Sequence, residues 1–264
     1  MIEQSSLVIL GSGYSGRIIF PLAVQEYREV FVTSRAPDEH LEYIPAQQRL
    51  RFDLERPETW GIIPTPADLL WCFPASPIGL VGQFVAKMAP SPRRIVVLGS
   101  TSAYNLAASS QYPPPWIDET APIDLTRPRV QGEEYLRVQH GAIVLRVAGI
   151  YGPGRSPVDW IRRGQVSPSR KYVNLIHVED LAAICLAALK RGKAGEVYNV
   201  SDGTPRTWDD IYLNARERWI LPPLTGQPSQ EVGKRIAIEK LHNGFGRVIR
   251  HVDLFAALDT IERR

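Results

Sequence analysis

The stretch SLVILGSGYSGRIIF, residues 6–20, decides how the chain reads. Its first part is a short apolar run, the mark of a strand buried on both faces. Its last part opens the run GRIIFPLAVQ, which reads as a helix. Between them lies GSGYSG, residues 11–16, the spacing G-x-G-x-x-G. On its own that spacing is weak, but between a strand and a helix it has a physical meaning. Gly11 permits the tight turn, Gly13 lets the backbone approach a pyrophosphate, and Gly16 lets helix and strand pack closely. Tyr14 and Ser15 fill the turn, and the free N–H groups of the helix start offer themselves to phosphate oxygens.

Outward from this turn the pattern repeats. EVFVTS (29–34), LRFDL (50–54), DLLWCF (68–73), RRIVVLGS (93–100), GAIVLRVAGIYG (141–152) and GEVYNVS (195–201) read as strands. VGQFVAKMA, EEYLRVQ and VEDLAAICLAALKR read as helices between them. Continuous apolar strands alternating with helices predict an α/β fold, a Rossmann-type doubly wound parallel sheet covered on both faces. Two stretches break the rhythm: the Pro- and Ser-rich loop 104–124, and the Pro-rich segment 219–235 with Pro222, Pro223 and Pro228. The expected organisation is a dinucleotide-binding core over 1–150, completed by about 178–201 and the C-terminal segment. A small substrate-binding part is expected over 151–177 and 202–248.

The second strand selects the dinucleotide. An acidic residue near its end would accept the ribose hydroxyls of NAD. Here the strand ends in Thr33, Ser34 and Arg35, and the first carboxylate is Asp38, beyond Pro37. Arg35 can pair with a 2′-phosphate, with Ser34 and Thr33 as hydroxyl partners. The expected cofactor is therefore NADP(H). Asp53 and Leu54 follow the third strand, where Asp53 either meets the adenine amino group or caps a turn before Pro57. Phe73 leaves the fourth strand at its C-terminal end, where ligands sit in open α/β sheets.

The composition narrows the alternatives. With 44% hydrophobic and 22% charged residues, the 264-residue chain resembles an ordinary soluble globule. A net charge of +3, scattered in pairs such as Arg93-Arg94, makes no stripe for nucleic acid. The N-terminus has no basic region followed by an apolar core, and no run is long enough to span a bilayer. The two cysteines, Cys72 and Cys185, lie in apolar runs without ligand spacing, as buried thiols in a reducing compartment do. A cytoplasmic protein with a small-molecule substrate, no nucleic-acid or membrane partner and no metal site is expected.

GSGYSG, FDL, LGSTSAYN, GIYGPGR, NLIHVEDLAA and YNVSDGTPRTW together resemble the extended and atypical short-chain dehydrogenase/reductase superfamily, the NAD-dependent epimerase/dehydratase-like proteins. The resemblance runs over nearly the whole chain. It implies hydride transfer at a carbonyl or alcohol carbon and a homodimer through helices of the core, with the helix after Thr126 as a candidate face. It also implies a Ser hydroxyl that polarises the substrate, here Ser102, and a Tyr-x-x-x-Lys pair. That pair falls on Thr126 and Val130, with Glu134 on a glutamate that often follows. The usual proton donor and cation are therefore missing, and positioned proton transfer is typically worth roughly 10²–10⁴-fold.

Three readings remain open. In one, the donor has moved. Tyr104 leaves the same strand end as Ser102, Tyr112 and Tyr151 lie on loops near the cleft, and Arg127 and Arg129 flank the altered pair. In the second, the chain binds NADP(H) without turnover, as a sensor or regulator. In the third, a lyase or isomerase uses the cofactor as scaffold or transient oxidant. Arg155 is a candidate partner of an anionic substrate group, and Asn174 a polar candidate for lining the pocket. His177 reads as a residue that positions its loop, and Asp180 suits the first turn of the following helix.

Overall fold

The computed structural model describes residues 3–89, 91–107, 109–221, 231–246 and 248–263. Pro222, Pro223 and Pro228 lie outside the described residues. The strands are β1 Glu3–Leu10, β2 Tyr27–Ser34, β3 Arg49–Arg51, β4 Ala67–Trp71, β5 Ile95–Ser100, β6 Trp116–Ile117, β7 Ile143–Val147, β8 Gly149–Tyr151, β9 Tyr172–Val173, β10 Leu175–His177, β11 Val197–Val200, β12 Arg206–Thr207 and β13 Arg235–Ile236. The helices are α1 Tyr14–Ala23, α2 Pro37–His40, α3 Ile78–Lys87, α4 Pro128–His140, α5 Pro157–Arg162, α6 Val178–Arg191, α7 Trp208–Arg218, α8 Glu239–Phe245 and α9 Leu254–Glu262.

Seven strands form one sheet in the order β11-β7-β5-β4-β1-β2-β3. The crossovers from β1 run outward in both directions, so the chain is doubly wound. β1 pairs in parallel with β2 and β4, β2 with β3, and β4 with β5. The apolar runs explain this arrangement. Leu7–Leu10 of β1, and β4 and β7 throughout, are buried, as strands covered on both faces must be. Within the first unit, Phe52, Trp60, Trp71 and Phe84 form an aromatic cluster with edge-on ring contacts. No helix among the described residues is long and apolar enough to cross a membrane.

The chain divides into two compact units. The first holds 1–103, 124–146 and 182–198. The second holds 104–123, 147–181 and 199–264. The boundaries fall differently from those expected: the loop after β5 and the C-terminal segment both join the second unit. In that unit Tyr151, Val158, Ile161, Trp208, Tyr212 and Leu258 pack into one core. Side chains cap the starts of α5, α7 and α9. Thr207 and Asp210 bond reciprocally at the start of α7, each side chain accepting the other's backbone N–H at 3.0 Å. Asp253 accepts from Phe255 and Ala256 at the start of α9.

Three elements differ from the sequence reading. β3 ends at Arg51 rather than continuing through Leu54, because Asp53 closes a turn in which its Oδ1 accepts the N–H of Glu55 at 3.0 Å. The run 141–152 is two strands, β7 and β8, and β8 pairs with β10 in a separate ribbon. The Pro-rich 104–124 stretch is not a structureless loop. A 3₁₀ turn fills Thr101–Ala107, and β6 pairs in parallel with β13.

Candidate functional site

In the first unit, Gly11 adopts φ +100°, a conformation open to glycine and strained for other residues. Its N–H donates to the hydroxyl of Thr33 at 2.9 Å, tying the turn to the end of β2. Gly16 packs so closely beneath the turn that a β-carbon there would lie 2.5 Å from the Gly11 carbonyl oxygen. A β-carbon on Gly13, by contrast, would meet nothing within 4 Å. Gly13 is the N-cap of α1; no side chain caps it, and the first turn carries no acidic residue. An uncapped helix start beside open space is the arrangement that receives a phosphate.

A cleft of about 500 Å³ opens over this turn. Gly11, Gly13, Ser34, Arg35, Asp53, Leu54 and Phe73 all line it. Tyr14 and Ser15 are half-buried in the first turn of α1, and Gly16 is buried; none of the three lines the cleft. Ser34 is buried, and its hydroxyl is partly committed: it accepts from the N–H of Ala36 at 3.1 Å and lies 2.9 Å from Nδ1 of His40. Asp53 lines the cleft while its carboxylate caps the Glu55 turn.

Adjoining the cleft is a recess of about 250 Å³ bordered by Arg35, Arg51, Asp53 and Arg56. Parallel pairing of β2 with β3 sets Arg51 opposite Ser34. All three arginines are exposed, and among the described residues none of their guanidiniums has an ion-pair partner. Arg51, Arg56, Arg17 and His40 were not singled out from sequence. The basic residues around β3 are the signal for the first two; the short α2 gives none for His40.

The catalytic candidates fare differently. Ser102 is half-buried beyond the C-terminal end of β5, and its N–H donates to the Ser100 hydroxyl at 3.1 Å. Its own hydroxyl has no protein partner among the described residues. Tyr104, expected to present its phenol to a substrate, is fully buried. Its hydroxyl donates to Oδ1 of Asn199 at 2.7 Å, and the ring packs with Ile117 and Ile236. A phenol so enclosed has no face to offer a reacting carbonyl. Tyr151 is buried too, and burial pushes its hydroxyl well above the usual phenol range. Tyr112 is exposed, with the Arg170 guanidinium 3.8 Å from its ring centre.

Thr126 and Val130 do not share a helix face, because α4 begins only at Pro128. Thr126 is exposed in the turn before it, its hydroxyl donating to Asp124 at 2.5 Å, while Val130 is buried. Arg129 supplies no free cation: it bonds Glu133 at 3.0 Å and the carbonyls of Leu98 and Gly99. Glu134 is held by Arg137 and Arg146. In the second unit, Asn174 bridges β13 by donating to the Lys234 carbonyl and accepting from Ile236, a structural task. Arg155 is exposed beside Gly152. Neither cysteine is bonded, and burial raises both thiols, so both are protonated.

No family model matches the chain. It is 32% identical over 128 residues to protein YeeZ of Escherichia coli K12, across 46% of this chain and 43% of YeeZ, so the match spans less than half of that relative. Among solved structures, a candidate NAD-dependent epimerase/dehydratase from Methylobacillus flagellatus superposes with a TM-score of 0.78 at 23% identity, covering 99% of this chain and 98% of that one. A short-chain dehydrogenase/reductase superfamily protein from Agrobacterium tumefaciens with bound NAD gives 0.79 at 16% identity, over 98% and 96%. Human epimerase family protein SDR39U1 with NADPH gives 0.72 at 17%, over 98% and 99%. The chain has the Rossmann-type fold of short-chain dehydrogenase/reductase and NAD-dependent epimerase/dehydratase proteins.

Proposed function

We propose that this chain binds NADP(H) and acts as an oxidoreductase or epimerase on a carbonyl or alcohol carbon, with an atypical site. The observation that carries the cofactor is the recess beside the glycine turn, where three guanidiniums stand without partners. A 2′-phosphate brings about two negative charges and three acceptor oxygens, and guanidiniums meet such groups in bidentate pairs. The turn itself fits a pyrophosphate through open space over Gly13 and the uncapped start of α1. When bound, the nicotinamide supplies hydride exchange with carbon.

Ser102 is the residue we assign to polarising the substrate oxygen, because its hydroxyl is half-buried and uncommitted. Tyr104 holds Asn199 instead of donating to substrate. Direct titration tests the cofactor reading: NADPH binds at least about tenfold more tightly than NADH if the arginines hold a 2′-phosphate. Equal affinities overturn it. Ser102→Ala tests the chemistry, by loss of turnover with NADPH affinity retained.

One observation favours a second reading, an NADP(H)-binding protein without turnover. The two positions of the usual catalytic pair are an exposed Thr bonded to Asp124 and a buried Val, and the phenol of Tyr104 is enclosed. NADPH oxidation across a panel of small aldehydes and ketones separates the two. Tight binding with no oxidation, together with different hydrogen-exchange responses to NADP and NADPH, supports the sensor.

A further inference from the structure

Ser34 and His40 meet in the first unit, and both line the cleft over the glycine turn. The local chain explains the meeting. The Ser34 hydroxyl accepts the N–H of Ala36 at 3.1 Å, a serine turn that bends the chain away from the end of β2. Pro37 then starts α2, a single turn that carries His40 back over Ala36, whose carbonyl accepts the His40 N–H at 3.0 Å. Leu41 and Ile44, both buried, anchor the chain just beyond. Nδ1 of His40 is thereby held 2.9 Å from Oγ of Ser34.

A serine hydroxyl has one hydrogen to give and two lone pairs to accept with. Ala36 takes one lone pair. Two arrangements satisfy the contact with His40. Where Nδ1 is bare, Ser34 donates to it, and a single lone pair is left for a ligand. Where Nδ1 carries a hydrogen, it donates to Ser34, both lone pairs are filled, and the O–H is left for the cleft. A neutral imidazole carries its hydrogen on one nitrogen or the other, so the tautomer decides. We propose that His40 is a positioning residue for the 2′ group of the dinucleotide: with the hydrogen on Nδ1 it makes Ser34 a pure donor, the form a 2′-phosphate requires. This inference rests on the reading of the cleft as an NADP(H) site.

The two dinucleotides differ in what they ask of Ser34. The oxygens of an ionised phosphate accept, and a donor aimed at them makes a bond about twice as strong as a neutral one. Beside a bare Nδ1, the phosphate meets a lone pair of Ser34 and no hydrogen. The ribose 2′-hydroxyl of NAD(H) both gives and accepts, so it bonds Ser34 in either arrangement. NADP(H) therefore selects the tautomer, and NAD(H) does not. The surroundings leave the ring free to respond. His40 is exposed, and among the described residues it forms no ion pair. The charged groups near it are of both signs: Arg17, Arg35, Asp53 and Glu55 on the cleft, Asp38 and Glu39 on α2 itself. The arginines supply charge to the 2′ site, and His40 supplies the direction of one hydroxyl.

Nitrogen-15 NMR of the full chain with labelled histidine reads which ring nitrogen carries hydrogen. The His40 signals are assigned by their loss in His40→Ala. With NADPH bound, Nδ1 of His40 is expected to carry a hydrogen, whereas with NADH bound the bare form stays populated. A double-mutant cycle supplies the affinity counterpart. His40→Ala, at an exposed position, is expected to lower NADPH affinity about three- to tenfold, the range of one hydrogen bond, and NADH affinity by less than about twofold. In a Ser34→Ala background the same substitution is expected to change neither. A bare Nδ1 in the NADPH complex, the same Nδ1 state in both complexes, a selectivity unmoved by His40→Ala, or an equal loss with and without the Ser34 hydroxyl overturns the inference. Each of these leaves the cofactor reading standing as long as the parent chain prefers NADPH. Equal affinity of the parent chain for NADPH and NADH overturns both.

Discussion

The hydroxyl of Tyr104 donates to Oδ1 of Asn199 at 2.7 Å, and both side chains are buried. Asn199 in turn donates its side-chain amide to the Ala237 carbonyl and its backbone N–H to Glu119. The phenol is thus one end of a buried polar chain within the second unit. Tyr104→Phe leaves Oδ1 of Asn199 without this donor, at a cost of about 1–3 kcal/mol. The denaturant midpoint falls accordingly in an unfolding titration, while NADPH affinity and any turnover persist. Turnover abolished with stability unchanged would show that the phenol takes part in the chemistry after all.

Arg51 enters the recess through the pairing of β2 with β3. Arg51→Ala removes one of three cations facing the proposed 2′-phosphate. NADPH affinity is expected to fall roughly 10–100-fold, the scale of a charge-assisted hydrogen bond, and NADH affinity to stay within about twofold. Calorimetric titration with both dinucleotides reads the difference. A parallel loss for the two would place Arg51 outside the 2′ site.

Gly16→Ala forces a β-carbon to 2.5 Å from the Gly11 carbonyl, and the glycine turn must move. The expected outcome is loss of dinucleotide binding by more than about tenfold, together with a lowered midpoint of thermal unfolding. Fluorescence enhancement of NADPH on binding provides the readout.

Glu133 gives the fold a pH dependence. It lies on the buried face of α4, and burial raises its carboxyl to about 7 against the opposing pull of Arg129 and Arg146. The folded state therefore keeps this proton up to about pH 7, whereas an unfolded glutamate releases it near 4.5. The stability from this residue is complete below about 4.5 and is lost as pH rises through about 7, a change on the order of 3 kcal/mol. Glu133→Gln removes this slope. Urea unfolding at about pH 5 and about pH 8 is expected to show a larger drop for the parent chain than for the variant. Equal drops would mean the carboxyl is ionised throughout.

Much of the fold is legible because its signals are local. The run 178–191 is apolar at helical spacing, and α6 occupies those residues. The glycine turn could be read because each glycine answers a constraint set by its neighbours in the chain. The sequence over 50–54 looks like strand beyond the end of β3 because Phe52 and Leu54 are buried after the strand has ended, and burial alone does not distinguish strand from turn. The loop 104–124 hid β6, since a two-residue strand gains its definition only from β13, far along the chain.

The sequence by itself determined that the chain carries a G-x-G-x-x-G turn after its first strand, and no acidic residue at the end of β2. Those are properties of residue identity and short spacing. Tertiary structure alone decided that Arg51 and Arg56 join Arg35 around one recess, that Tyr104 spends its hydroxyl on Asn199, and that His177 stacks on His251. Each of these depends on segments distant in sequence being brought together by sheet pairing and core burial. No local pattern encodes such a meeting, because the energy that enforces it comes from the whole buried core rather than from the residues that meet.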